Sequence, residues 1–229
     1  MIAGSRLGSC CVAAFALLVT RCGLAEAETL TAQVIMLENK NLTAGERARV
    51  LGVLTLTQTD DTLEVKGILQ NVSPVNADHG FHVHELGSVA EGCGGAKGHY
   101  NPTNKKHGAP ADDERHVGDW GNVRANAQGV VTVDLSDKVA RLDGPHSIVG
   151  RAIVLHQGVD DLGKGGHPES LTTGNAGARL ACGVIAVASP GFSAADNGAA
   201  VTAAYDFLAL LLTASIPAVV IVFAALKQY

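Results

Sequence analysis

The chain has no surplus of positive charge, few cysteines, no long helical periodicity and no internal repeat, and each shortage narrows what it can be. Lys and Arg number 17 against 22 Asp and Glu, a formal charge of −5. A surface that binds phosphate backbones needs the opposite balance, so nucleic acid is not expected as a partner. Of the five cysteines, Cys10, Cys11 and Cys22 fall in an apolar N-terminal segment. Only Cys93 and Cys182 stand beyond it, an even pair that suits a single intrachain disulfide in an oxidising compartment. No stretch of the body keeps an amphipathic helical period over three turns, which argues against a helix bundle.

Both ends of the chain read as processing signals. Arg6 precedes the apolar run CCVAAFALLV, and Ala25-Glu26-Ala27 has the small-x-small form of a cleavage site. Residues 1–27 are therefore expected to be a secretory signal peptide. At the other end, FLALLLTASIPAVVIVFAAL runs from Phe207 to Leu226 without a charge. As a helix it would reach about 30 Å, enough to cross a bilayer. Small and polar residues precede it, a spacer over 191–206 followed by the tail 207–229, and this is the layout of a glycosylphosphatidylinositol (GPI) attachment signal. Ser193, Asp196 and Asn197 are candidate attachment residues, with Asn197 preferred; the competing reading is a membrane helix with Lys227 on the cytoplasmic side. Either way the body, residues 28–190, is expected outside the cell and tethered to its surface. Asn41-Leu42-Thr43 is a glycosylation sequon, and Asn71-Val72-Ser73 a weaker one because Pro74 follows.

That body is a single-domain length of roughly 165–170 residues. Counted from Glu28 to Asn197, which sets aside Arg6, Arg21, Lys227, Glu26 and Asp206, there are 14 basic and 20 acidic residues, near −6. Its segments ARVLGVLTLTQ, LEVKGILQ, GVVTVDL, SIVGRAIVLH and LACGVIAVA are short and rich in Val, Ile, Leu and Thr, with turn clusters such as QTDD, NAQG and LDGP between several of them. They predict antiparallel strands in a sandwich or barrel. Two long Gly-rich stretches interrupt the pattern, Gly87 to Asp119 and Gln157 to Arg179. Loops of that length are functional or stapled by something.

The chemistry gathers around these loops. In GFHVHELG, His82 and His84 sit at i and i+2, on one face of an extended strand. His99, His107 and His116 lie in the first loop, Asp119 closes it, and His156 ends an apolar strand just before the second. Imidazole suits copper and zinc, and a carboxylate can complete a tetrahedral zinc site. Seven such groups exceed the needs of one ion; two four-coordinate ions would require one ring to serve both. Solvated loop histidines are the plainer alternative.

The stretches GFHVHELG, GCGGAKGHYNPTNKKHGAP, DERHVGDWGNV, GRAIVLHQGVDDLGKGG and GNAGARLACGV resemble, in order and spacing, the signatures of the copper/zinc superoxide dismutases, from about Leu30 to Val187. The blocks RHVGD and GNAG-R-LACGV are similar to the eukaryotic branch. The resemblance implies an all-β fold, an eight-stranded antiparallel Greek-key β-barrel with two long functional loops. It implies copper on His82, His84, His99 and His156, and zinc on His99, His107, His116 and Asp119, with His99 as the bridge and proton carrier. It further implies that Asp160 links a copper histidine to a zinc histidine, that Cys93 pairs with Cys182, and that Arg179 faces the copper and receives superoxide. His79, His146 and His167 match no ligand position and are expected to be surface or loop histidines.

Pro168 and Thr172 depart from the Glu and Lys common in many animal members, so guidance of the anion, rather than metal binding, is where this chain is expected to differ. Leu86, Gly87, Val149, Gly150, Val184 and Val187 fall where the family's homodimers meet. Two rival readings are an extracellular copper- and zinc-binding protein without turnover, and the dismutase-like domain of a copper chaperone. The signal peptide, the full copper set and the lack of a Cys-rich transfer domain speak against the chaperone.

Overall fold

The structure is a computed structural model that describes residues 29–41, 46–89 and 91–188. The expected signal peptide over 1–27, the expected spacer and tail, Asn197 with the other attachment candidates, and Leu42 and Thr43 of the first sequon lie outside the described residues.

Strands are β1 (Leu30–Glu38), β2 (Val50–Thr59), β3 (Thr62–Leu69), β4 (Asp78–His84), β5 (Asp119–Arg124), β6 (Val131–Asp137), β7 (Ala152–His156), β8 (Arg179–Val184) and the two-residue β9 (Ala186–Val187). They pair antiparallel in the order β5-β4-β7-β8-β1-β2-β3-β6, with β9 added to β1. The ends of this order, β5 and β6, are neighbours joined by a tight turn and come into contact, which rolls the sheet into a barrel. The expected eight-stranded Greek-key barrel is what forms, with β9 as a short addition.

Alternation explains the core. In β3, Leu63, Val65 and Leu69 point inward while Glu64, Lys66 and Ile68 face water; in β1, Ala32, Val34 and Met36 point inward. Such period-two burial is what a sheet with one wet face requires. The strands β4 and β7 break the rule. Every residue from His79 to His84 and from Ala152 to His156 is buried. Phe81, Val83, Ile153 and Leu155 enter the main core, whereas His82, His84 and His156 leave from the opposite face. That face is covered by the two long loops.

Pattern reading overshot two strands. The segment SIVGRAIVLH is a strand only from Ala152, because Gly150 takes φ +78° and Arg151 N–H turns back to the Ile148 carbonyl. LACGVIAVA divides at Ile185, whose N–H goes to Arg151 rather than along the ladder of β1. His79 is also corrected: it is fully buried, with Nδ1 2.8 Å from the His156 carbonyl and Nε2 2.9 Å from that of Pro74. His167 is exposed and His146 half-buried, as loop positions should be.

The first loop is stapled. Cys93, in a short 3-10 turn (Cys93–Ala96), is bonded to Cys182 of β8 across a sequence separation of 89. Around the bridge Ala96, Ala152 and Val154 form a small apolar cluster of their own. Because the link closes a long loop in the unfolded chain, replacing both cysteines with serine should cost about 4 kcal/mol in the metal-free protein. Denaturant unfolding measures this, and a loss under about 1 kcal/mol would contradict it.

Candidate metal centre

Strand geometry builds the first half of the site. β4 pairs with β7 so that His82 lies opposite Val154 and His84 opposite Ala152, which brings His156 beside both histidines. The loop returns along β4: Tyr100 N–H bonds the Val83 carbonyl, Val83 N–H bonds that of Gly118, and His84 bridges His99. His99 is thereby carried onto the same face.

Each of these four rings has one nitrogen occupied. His82 Nε2 lies 2.9 Å from Asp160 Oδ2, His84 Nδ1 2.8 Å from the Lys97 carbonyl, and His156 Nδ1 3.2 Å from the Gly177 carbonyl. His99 Nδ1 lies 2.8 Å from Asp119 Oδ1. A carbonyl oxygen accepts only, so His84 and His156 must donate from Nδ1, and their Nε2 atoms carry lone pairs in the neutral rings. Those two Nε2 atoms stand 3.2 Å apart. His82 Nδ1 and His99 Nε2 are buried without a partner among the described residues. Two facing lone pairs and two orphaned nitrogens in a dry site fit a shared cation.

The second half converges on one atom. Nδ1 of His99, His107 and His116 lie 2.8, 2.9 and 3.0 Å from Asp119 Oδ1, while Asp119 Oδ2 accepts N–H bonds from Gly108 and His116. His107 Nδ1 is close to the carboxylate but poorly aligned for a hydrogen bond, as expected where a cation draws both. Both quartets, His82-His84-His99-His156 and His99-His107-His116-Asp119, bring one donor atom per residue within 4.8 Å of one another. His99 belongs to both. The donor chemistry fits two adjoining cations.

Asp160 ties the quartets together. One oxygen takes His82 Nε2, and the other takes His107 Nε2 at 2.7 Å and the Leu162 N–H. It meets the ring nitrogens that point away from the quartets, so it orients ligands rather than forming a third site. Gly174, at φ +64°, makes room for it: a Cβ there would stand 1.9 Å from Asp160 Oδ1. The guanidinium of Arg179 reaches the same rim, donating to the Cys93 and Lys97 carbonyls. The sequence reading passed over Arg115, which is buried, pairs with Asp137 at 2.7 Å and donates to the carbonyls of His116 and Asp119. Its only signal was a lone Arg beside His116.

These features define a class: a β-barrel protein with a paired metal centre in which one imidazole is common to two adjoining cation positions. Residues 50–185 match the family described as copper/zinc superoxide dismutase, and the chain belongs to that family. It is 52% identical over 142 residues to a "Superoxide dismutase [Cu-Zn]" of Cryptococcus neoformans var. grubii, covering 61% of this chain and 92% of that protein. It is 51% identical over 144 residues to a protein of the same name from Candida glabrata, covering 60% and 90%.

The rings titrate abnormally. Burial holds His82, His84 and His99 below the usual imidazole range and takes His156 down to about 4. For His107 burial also opposes charge, but the nearby carboxylates of Asp119 and Asp160 outweigh it and raise it to about 9. Burial works against the charge of Asp119 and Asp160 as well, yet their histidine partners keep both well below ordinary carboxylates.

In the metal-free protein the four depressed imidazoles stabilise the fold above an unfolded value of about 6.5 and lose that contribution as pH falls. The two carboxylates act in the same direction below about pH 4. His107 opposes them, helping most below about 6.5 and ceasing to help as pH rises through 9. The four outweigh the one, so the denaturant midpoint of the metal-free protein should drop between about pH 6.5 and 4. A flat or rising profile would show that these rings are hydrated without metal.

Proposed function

We propose that this chain catalyses the disproportionation of superoxide, two superoxide anions and two protons giving dioxygen and hydrogen peroxide. His82, His84, His99 and His156 would hold copper; His99, His107, His116 and Asp119 would hold zinc. Copper supplies one-electron redox chemistry that zinc, with a single accessible oxidation state, does not. The observation that carries the reading is the 3.2 Å approach of two imidazole Nε2 atoms beside a ring that belongs to both quartets.

The protein's own groups do the rest. His99 presents Nδ1 to the carboxylate quartet and Nε2 to the all-imidazole one. When free, Nε2 can hold a proton and pass it to peroxide as it leaves, while the other nitrogen keeps the ring in place. Arg179 offers a permanent charge and planar N–H donors to a small anion. Asp160 fixes the orientation of His82 and His107. Arg179→Ala should retain both metals but lose about 10- to 100-fold in kcat/KM, the value of a charge-assisted hydrogen bond. Superoxide consumption alongside metal analysis tests this. Full metal occupancy in the native protein with no superoxide loss would favour the storage alternative instead.

The proposed setting draws its support from the residue pattern near both termini and from the surface. Secretion is supported by the layout of residues 1–27, and a GPI tether near Asn197 by the spacer and uncharged tail. Asn41 is exposed, as a glycan acceptor must be. A homodimer is supported by apolar exposure near the disulfide: Ile35 is 45%, Leu86 41% and Val187 72% exposed, with Val184 half-buried at the end of β8. Isologous dimers bury such patches. A phosphatidylinositol-specific phospholipase should release the protein from expressing cells, and the released species should sediment at twice its chain mass. No release rejects the lipid tether; release as a monomer rejects the dimer.

A further inference from the structure

Asn39 directly follows β1, outside the five quoted stretches that carry the family resemblance. There the Asn39 side chain makes two directed contacts. Its Nδ2 donates to the Arg179 carbonyl at 2.8 Å, and its Oδ1 accepts the Cys93 N–H at 2.8 Å. Arg179 closes the ring by donating from Nη1 to the carbonyl of that same Cys93. The carboxamide can face only one way, since Arg179 offers it an acceptor and Cys93 a donor.

The backbone is held as well. β1 pairs with β8 at Leu37–Cys182 and Glu38–Ala181, and Asn39 N–H extends the ladder to the Leu180 carbonyl at 2.7 Å. Gly92 completes the fit: it sits at φ +72°, and a Cβ there would come 2.7 Å from Asn39 Oδ1. Both ends of the Arg179 side chain are therefore tied to Asn39. Its main chain hangs on Asn39, and its tip donates to the carbonyl of Cys93, the residue whose N–H Asn39 holds, with a second contact to the Lys97 carbonyl. The disulfide alone does not do this, because it joins Cys93 to a residue three positions along β8.

We propose that Asn39 is a positioning residue for the reaction, setting where the Arg179 guanidinium stands at the mouth of the four-imidazole quartet by clamping the Arg179 main chain to the Cys93 peptide. This rests on the reading of Arg179 as the receiver of the anion. Asn39→Asp keeps an acceptor for Cys93 but turns an acceptor toward the Arg179 carbonyl; Asn39→Ala removes both contacts. Misplacing a charged donor by a fraction of an ångström weakens its hold on a small anion without touching the ligands.

The test uses the metal-loaded, disulfide-closed protein, with bridge closure checked by thiol labelling after denaturation. Azide serves as a small monoanion whose affinity is read from the visible absorption of bound copper, beside kcat/KM for superoxide. Both variants should weaken azide about 3- to 10-fold and lower kcat/KM by a similar factor, with an unchanged copper spin-resonance spectrum in the absence of azide. Azide affinity and kcat/KM within twofold of native, even with a lowered melting temperature, would reduce Asn39 to a structural contact and overturn the proposal. Arg179→Ala separates the two failures. If it weakens azide while the Asn39 variants do not, only the positioning role falls; if it leaves azide unchanged, the role of Arg179 falls with it.

Discussion

Everything at this centre follows from gathering six imidazoles and a carboxylate in a buried cluster. His82, His84, His99, His107, His116, His156 and Asp119 are all buried, and their ring nitrogens approach one another or one carboxylate oxygen. Neutral imidazoles in such a cluster turn lone pairs toward each other, and charged ones repel in a medium that screens poorly. Two cations resolve the conflict at once. Without them such a cluster would be under electrostatic tension, so metal affinity and fold stability are two views of one quantity.

That tension needs a frame that does not relax. The barrel supplies it through β4 and β7, which place Phe81, Val83, Ile153 and Leu155 in the core and present histidines on the far side. A close-packed core resists small displacements, so rings mounted on its strands hold their spacing. The loops are not self-supporting, and each is tied down by covalent or charged links. The disulfide fixes the start of the first loop, the Arg115–Asp137 pair its end, and Asp160 links the second loop to both quartets.

How much of this the sequence disclosed depended on whether the signal was local. The i, i+2 pair His82 and His84 announces a common face because strand geometry alone guarantees it, and alternation located most of β2, β3 and β6. The loop ligands became legible only as a set, through resemblance, since no local rule brings His99 and His116 together. Burial on both faces of β4 was hidden: His79 looked like one more loop histidine, because nothing local says that two loops will cover that strand. Strand ends were misjudged where Gly150 and Ile185 redirect hydrogen bonds, events decided by packing rather than propensity. Asn39 was invisible because its partners lie far away in sequence, and Arg115 because no local pattern announces its pairing with Asp137.

Those hidden residues share a chemical role. His79 faces the carbonyl of His156, Arg115 donates to the carbonyls of His116 and Asp119, and Asn39 donates to that of Arg179. In each case a polar side chain grips the main chain of a functional residue rather than its side chain. The functional side chain is left free for its metal or anion, and no competing donor enters the site. For His84 and His156 a single carbonyl acceptor also removes the choice of tautomer that a carboxylate or a second ring would leave open. Rigidity is therefore delivered through the backbone and reactivity through the side chains. This separation lets a centre so crowded with titratable groups stay both fixed in place and chemically available.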